Sequence, residues 1–292
     1  MKLKRKLIVV ILSLISTVGN SLLANETAAT SLHEIENKTE KIFTIGVVPQ
    51  QSARALAKLW TPISQYLSIK TGLNIRFSTA KDIPTFERRL LEGVYDIAYM
   101  NPYHFTVFNQ KPGYQAIAKE QQKKIKGIIV VPKDSPIQKI SELHGAILAF
   151  PAPAAFAASV LPAARFSELG IAITPKYVSS HDSVYLSVAR GFFPAGGGVM
   201  RTFNNTPKEI KDKLKILWQT PGYTPHALAV HPRLKADTIA NIQEAILNMN
   251  KTQQGKQLLA SVKFKDLGAA KNSDWDDVRA LDIKALARML EE

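Results

Sequence analysis

The feature of this sequence that most restricts its fold is an alternation between short apolar runs and segments with helical periodicity. The run KIFTIGVV (41–48) comes first, and after it Ala53, Leu56, Trp60 and Ile63 recur at spacings of three or four residues. Further runs with strand character lie at 73–78, 96–100, 127–131, 146–150, 176–179, 215–218 and 226–230. This alternation predicts an α/β fold with mainly parallel sheets and helices on both faces.

The order of the apolar runs predicts two lobes. The chain has 292 residues, enough for one or two domains. GIIVV (127–131) has the composition of a buried central strand and is followed by a break, and TPHALAVHP (224–232) leads into the last helices. We therefore expect lobe 1 to contain 41–131 plus 226–292 and lobe 2 to contain 132–225, with two crossover linkers and a cleft between the lobes.

The N-terminus has the three-part pattern of a secretory signal peptide. A basic head is followed by the apolar run 7–15 and then by small and polar residues that reach Ala24. The apolar run is too short to span a bilayer as a permanent anchor. We expect residues 1–24 to be a cleaved signal peptide, residues 25–40 to be a flexible leader, and the mature protein to be periplasmic.

Charge and cysteine content exclude several functions. The formal net charge is +14, and removal of residues 1–24, which hold four Lys/Arg and no Asp/Glu, leaves +10. The remaining basic residues are scattered among acidic ones, which favours solvated surfaces over a nucleic-acid groove. With no cysteine, the chain has no disulfides, no cysteine-ligated zinc and no thiol catalysis.

In open α/β sheets, ligands bind beyond the carboxyl ends of strands. Tyr99, Asn101 and Tyr103 cluster at one such strand end, in YMNPYHF (99–105). Some of these side chains are expected to face the cleft, although packing is the commoner role of a single tyrosine.

The segment PAPAAFAASVLP (151–162) predicts a helix that begins without a capping side chain. Its start includes Ala155, Phe156 and Ala157, and no Ser, Thr, Asp or Asn is present from 151 to 158. The first amides of a helix lack acceptors within it, and their dipole favours an anion. The segment is therefore a candidate anion-binding site, and the alternative is a water-capped helix in a packed layer.

A second candidate lies in SSHDSVY (179–185), between a strand and a helix. Ser180 or Asp182 could cap that helix, and His181 could donate to an anionic ligand. If His181 binds in its protonated form, affinity falls as the pH rises past about 6.5. The alternative is an ordinary loop pair, and the absence of a G-x-S-x-G motif argues against a hydrolase.

The segment PAGGGVMRTF (194–203) contains three consecutive glycines. It lacks the phosphate-loop and dinucleotide-binding spacings, so no nucleotide cofactor is expected. Gly197 would allow a ligand or another segment to approach closely, and Arg201 could hold an anion or form a salt bridge. The histidines show no metal-ligand spacing, and we expect neither a metal nor a cofactor.

These junctions together resemble the periplasmic substrate-binding proteins of phosphate, phosphite and phosphonate ABC transporters. IGVVPQQ (45–51) is similar to the family's first strand and loop, and LLEGVYDIAYMNPYHF (90–105) to its L-x-x-G-x-x-D-x-A strand. KDSPIQKISELHGAILAF (133–150) is similar to the start of the second lobe, and SSHDSVYLSVARG (179–191) to the segment with a ligand-contacting histidine. The resemblance implies the type II periplasmic-binding-protein fold and maps that histidine onto His181.

One departure concerns the helix that grips the oxyanion in this family. Where the family has a Pro-x-Ser-x-Ser-Gly pattern, this chain has Pro153 followed by AAFAA (154–158), so the hydroxyl donors are replaced. An acidic residue that often follows the histidine segment is also replaced, around Ala195 and Gly196. The resemblance thus leaves open whether the ligand is a phosphonate, and Phe156 would favour a ligand with an apolar or planar part.

The expected function is capture of a small, anionic solute, and the expected partner is an ABC permease in the inner membrane. The expected state is a monomer, with no catalysis and no nucleic-acid partner. Two alternatives are a sensor that presents its ligand to a histidine kinase or chemoreceptor, and an enzyme built on the same fold.

Overall fold

The computed structural model describes residues 41–291, apart from the side chains of residues 288 and 289. The predicted signal peptide (1–24) and leader (25–40) lie outside the described residues. Residues 42–291 belong to one compact unit. Within residues 41–291, no helix is both long enough and apolar enough to cross a membrane.

Two mixed sheets form the centres of two lobes. The first sheet has the strand order β11-β4-β10-β3-β1-β2 and the second has the order β7-β6-β8-β5-β9. The strands are β1 (Ile42–Val47), β2 (Asn74–Ser78), β3 (Ile97–Met100), β4 (Gln115–Glu120), β5 (Gly127–Pro132), β6 (Ile147–Phe150), β7 (Thr174–Tyr177), β8 (Gly196–Val199), β9 (Leu214–Gln219), β10 (Ala227–Val230) and β11 (Leu267–Ala269).

Helices connect these strands and cover the sheets. The α-helices are α1 (Ala53–Thr71), α2 (Ile83–Leu91), α3 (Pro102–Phe108), α4 (Leu161–Glu168), α5 (His181–Ala189), α6 (Met200–Asn205), α7 (Lys208–Lys211), α8 (Ala236–Asn248), α9 (Gln253–Ser261), α10 (Asp276–Arg279) and α11 (Ala287–Glu291). A π-helical turn, Phe156–Val160, precedes α4, and 3-10 turns lie at Ile140–Leu143, Met249–Lys251 and Asn272–Trp275.

Helix ends follow the local sequence signals. The Ser52 hydroxyl accepts a hydrogen bond from the amide of Ala55 at the start of α1, and Gly72 ends this helix with a φ of 71°. Asp82 caps α2 through the amide of Thr85, with Pro84 in the first turn. A side-chain acceptor at the first position and a glycine in the left-handed region are the usual signals for the two ends.

The prediction of mainly parallel sheets is wrong. Five of the nine strand pairs are antiparallel, and the parallel pairs are confined to β1, β2 and β3 and to β6, β7 and β8. Strand β5 enters the second sheet against β8, and β10 returns to the first sheet against β3. In both pairs, the antiparallel strand is the first one that the chain forms after it passes from one lobe to the other.

The first crossover lies earlier than the lobe boundary predicted at 131. Strand β5, expected to end lobe 1, pairs with β8 and β9 in the second sheet. The two crossovers are therefore 121–126 and 220–226. They pair with each other, because the amide of Ile125 donates to the carbonyl of Tyr223 at 2.8 Å and the amide of Tyr223 donates to that of Ile125 at 3.0 Å.

Candidate functional site

The start of the Ala-rich helix lies against the other lobe. Ala155 is non-helical, with ψ at 92°, and its carbonyl accepts hydrogen bonds from the amides of Ser159 and Val160 at 2.7 and 3.3 Å. No described side chain caps this end. The π turn continues without a break into α4, so Phe156 to Glu168 is one helical segment whose first amides have no acceptor within it. The predicted bare helix start is therefore present.

A small cavity lies between this helix start and lobe 1. It is bounded by Asn101, His181, Gln50 and the segment 155–158, and its volume is about 10 Å³. That space holds at most one water molecule. The structure thus brings together Asn101, Ala155, Phe156, Ala157 and His181, five of the residues predicted from the sequence.

The side-chain amide of Asn101 forms two hydrogen bonds. Its Oδ1 accepts from the backbone amide of His104 at 2.7 Å and so caps α3, while its Nδ2 donates to the carbonyl of Ala154 at 3.3 Å. The first contact lies within lobe 1 and the second crosses to lobe 2. Asn101 is therefore both a helix cap and a contact between the lobes.

The start of α5 supplies two more contacts between the lobes. The backbone amide of His181 donates to the carbonyl of Gln50 at 3.1 Å, and the carboxylate of Asp182 accepts from the amide of Ser52 at 2.9 Å. Ser180 caps the helix through the amide of Ser183, one of the two caps predicted. Asp182 does not line the small cavity, so its role in the structure is to join the lobes.

The His181 ring is buried and neutral. Its Nδ1 lies 3.2 Å from the hydroxyl of Thr202. Burial, and secondarily the nearby Arg201 charge, lower the pKa of His181 to about 3. The structure therefore does not support a protonated His181 near neutral pH, and the ring can donate to a ligand only as a neutral imidazole.

Phe156 packs across the boundary between the lobes. Its side chain is buried, and its ring meets the Tyr223 ring edge to face, with 5.6 Å between the centroids. Tyr223 lies in the second crossover, so the Phe156 ring connects the helix start to that crossover.

The triple-glycine segment is strand β8, which the sequence did not predict. A Cβ added at Gly197 would lie 1.9 Å from the carbonyl oxygen of Ala158, and one added at Gly127 would lie 1.9 Å from that of Ala157. These two glycines therefore let the helix start approach the sheet. Gly197 was predicted to allow the close approach of a ligand or of another chain segment, and the structure gives it the second role.

Arg201 and Tyr99 lie beside the small cavity, not in its lining. The Arg201 guanidinium lies 5.5 Å from the centroid of the Tyr99 ring and 5.4 Å from that of Phe264, which is cation–π range. Its Nη2 donates to Oε1 of Gln50 at 3.4 Å. Burial raises the pKa of Tyr99 to about 12, against the opposing effect of the Arg201 charge. His226, which sequence reasoning dismissed, stacks on Tyr99 at 4.9 Å between the centroids.

The prediction that Tyr103 faces the cleft is wrong. Its hydroxyl accepts from the amide of Leu286 at 2.8 Å and donates to the carbonyl of Ile283 at 3.2 Å. Tyr103 therefore attaches the C-terminal segment to lobe 1. The cause is α3, which begins at Pro102 and turns successive side chains to different sides.

Comparison with known proteins assigns the chain to a family. A family model for the periplasmic substrate-binding protein of phosphonate ABC transporters matches residues 45–275. This chain therefore belongs to the phosphonate-binding family of periplasmic substrate-binding proteins.

Individual relatives support the assignment and the fold. The chain is 21% identical over 226 residues to the phosphate-import protein PhnD of Mycolicibacterium smegmatis, which covers 68% of this chain and 69% of that protein. A binding protein component of a phosphonate ABC transporter from Pseudomonas aeruginosa superposes with a TM-score of 0.78 at 15% identity, over 84% of this chain and 87% of that one. PhnD1 of Prochlorococcus marinus, in complex with methylphosphonate, superposes with a TM-score of 0.77 at 18% identity, over 87% and 100%. The predicted type II periplasmic-binding-protein fold, two α/β lobes joined by two crossovers, is confirmed.

Proposed function

We propose that this protein is exported to the periplasm, captures a small anion of the phosphate, phosphite or phosphonate class between its lobes, and presents it to an ABC permease. The observation that carries the proposal is the uncapped helix start at 156–158, which faces Asn101 and Gln50 of the other lobe. Amides at a helix N-terminus and the positive end of its dipole suit an oxyanion. The phosphate and methylphosphonate in the names of the relatives support the ligand class.

The anion would bind through backbone amides and three neutral side chains. Ala155 and Ala157 have no hydroxyl, and Asn101, Gln50 and His181 are the polar side chains that line the small cavity. A ligand would take the Asn101 Nδ2 donor in place of the carbonyl of Ala154. Because each hydrogen bond to a charged group contributes about 1.5–3 kcal/mol, we expect weaker binding than a hydroxyl-lined helix start would give.

Binding must couple to movement of the lobes. The small cavity has a volume of about 10 Å³, and three hydrogen bonds close it, from Asn101 to Ala154, from His181 to Gln50 and from Ser52 to Asp182. The ligand would bind while the lobes are apart and shift the population toward a closed form that surrounds it. The closed form is then the state that a permease recognises.

A thermal-shift screen tests the ligand class. The full chain is expressed, purified and heated with phosphate, phosphite, alkylphosphonates, sulfonates, carboxylates and cationic controls. A ligand present at about 100 times its dissociation constant stabilises the fold by about 2.7 kcal/mol. The proposal predicts stabilisation by the phosphorus oxyanions, and stabilisation by non-anionic compounds alone would overturn it.

A matched pair of variants tests the position of the site. Asn101→Asp keeps the oxygen that caps α3 but replaces the Nδ2 donor with a negative charge, so it should abolish the shift given by phosphate. Asn272→Asp adds the same charge at an exposed position and should keep that shift. Equal shifts in both variants would place the anion elsewhere.

The partner is tested by gene context. Permease and ATPase genes beside this one would support import, and a histidine kinase gene in their place would support the sensor alternative.

A further inference from the structure

A larger cavity lies next to the small cavity at the helix start. It has a volume of about 500 Å³ and lies between the first crossover, α6 and the turn after α9. That size is typical of small-molecule sites. Its lining contains one carboxylate, Glu120, and five cationic side chains, which are Lys123, Lys124, Lys126, Arg201 and Lys263.

Only part of this positive charge is neutralised. Lys123 pairs with Glu120 at 3.2 Å, and Lys124 lies 3.7 Å from the carboxylate of Asp277. Among residues 41–291, no carboxylate forms an ion pair with Lys126, Arg201 or Lys263. The cavity therefore presents three uncompensated cations.

A buried histidine supplies an independent observation. His226 lines the cavity with 2% of its surface exposed, and neither ring nitrogen has a hydrogen-bond partner within the described residues. Buried polar atoms are almost always paired, and an unpaired one points to a missing partner. The His226 ring stacks on the Tyr99 ring, which holds it in place.

The two cavities are neighbours. Ile125 and Val199 line both the small cavity at the helix start and the basic cavity. These two apolar side chains separate the cavities, so one solute could reach both once the lobes part.

We propose that the basic cavity binds a second anionic group of the ligand, so that the preferred solute carries an oxyanion at one end and another negative group, such as a carboxylate, at the other. This inference rests on the proposed function, which supplies the first oxyanion at 156–158. Arg201 and His226 hold the second group, and Lys126 and Lys263 neutralise it from the rim. The exposed lysines alone would be a solvated surface, but His226 is buried with both nitrogens unpaired.

Titration calorimetry with three probes tests the proposal. The probes are 3-phosphonopropionate, propylphosphonate and 2-aminoethylphosphonate, whose tails are negative, neutral and positive. We expect 3-phosphonopropionate to bind at least about tenfold more tightly than propylphosphonate, because it gains a charge-assisted hydrogen bond. The positively charged tail should bind most weakly of the three.

Variants assign the preference to the cavity. Lys126→Gln combined with Lys263→Gln, or His226→Phe, should reduce the preference for 3-phosphonopropionate by about fivefold or more and leave propylphosphonate unchanged. His226→Phe keeps an aromatic ring against Tyr99 and removes both unpaired nitrogens, so we expect no loss of thermal stability. Lys256→Gln, an exposed charge outside the cavity, is the matched control.

Each outcome decides between the two proposals. If propylphosphonate and 3-phosphonopropionate bind equally and the cavity variants change neither, the second anionic site is wrong and the proposed function stands. A preference lost equally in Lys256→Gln is due to the general field of a basic protein and also overturns the site. If no phosphonate, phosphate or phosphite binds, the proposed function fails, and this inference fails with it.

Discussion

The buried ring of His181 predicts a loss of stability when the pH is lowered from about 7.5 to about 5.5. Its pKa is about 3 in the folded protein against an ordinary value of 6.5, so the unfolded chain binds the proton first. The stabilisation is therefore fully present above pH 6.5 and is lost as the pH falls. It decreases by about 1.4 kcal/mol per pH unit below that value, or about 1.4 kcal/mol over this range.

Other titratable groups also change the stability as the pH falls. The ring faces the Arg201 guanidinium and the Thr202 hydroxyl, and burial also lowers the pKa values of His226 and His231, so their effects have the same sign. Asp182 has the opposite sign, because burial raises its pKa above 3.8. Stopping at about pH 5.5 keeps the measurement above 3.8, the ordinary pKa of this carboxyl, where the opposing effect begins.

Urea unfolding at the two pH values measures the effect. The free energy of unfolding of the wild type should fall by at least about 1.4 kcal/mol, and that of His181→Gln should fall by about 1.4 kcal/mol less. Lys256→Gln serves as the matched control and should keep the wild-type dependence. If His181→Gln loses as much stability as the wild type, the ring is not held neutral and the reasoning is refuted.

Three further substitutions test the contacts around the cleft. Ala155→Ser places a hydroxyl at the helix start and should tighten phosphate binding about tenfold or more. Ala163→Ser, at an exposed position of the same helix, is the control and should not change the affinity. If the two variants bind phosphate equally well, position 155 does not belong to the site. Gly197→Ala should lower the melting temperature by several degrees, because its Cβ would lie 1.9 Å from a backbone oxygen, and an unchanged melting temperature would refute that close approach. Asp182→Ala removes the acceptor for the amide of Ser52 and should weaken phosphate binding about fivefold, because it destabilises the closed form. Titration calorimetry measures this change, and an unchanged affinity would show that the contact does not hold the lobes together.

The sequence predicted those elements whose signals are local. Helix α1 follows from its apolar spacing, and β5 follows from five consecutive apolar residues. Strand β8 was missed because GGGV has no side-chain alternation, and its place in the sheet depends on contacts with distant segments. Strand direction was also mispredicted, because the alternation of strands and helices does not show where the chain passes between lobes.

The candidate site was predictable where it depends on strand ends and helix starts. This rule identified Asn101, the segment 155–157 and His181, which line one cavity in the structure. It failed for Tyr103, because a helix starts one residue earlier. His226 was missed because a single histidine without metal-ligand spacing gives no sequence signal, and its importance comes from buried nitrogens without partners.

The two glycines beneath the helix start restrict how this binding site can change. At Gly127 and Gly197, the obstacle to a side chain is a backbone carbonyl oxygen, which no rotamer change can move. Every other amino acid carries a Cβ, so neither position has an acceptable replacement. A library that randomises these positions would yield few folded members. Selection for a new solute should instead vary residues 155 and 157 and the basic rim, where side chains can change while the distance between helix and sheet stays fixed.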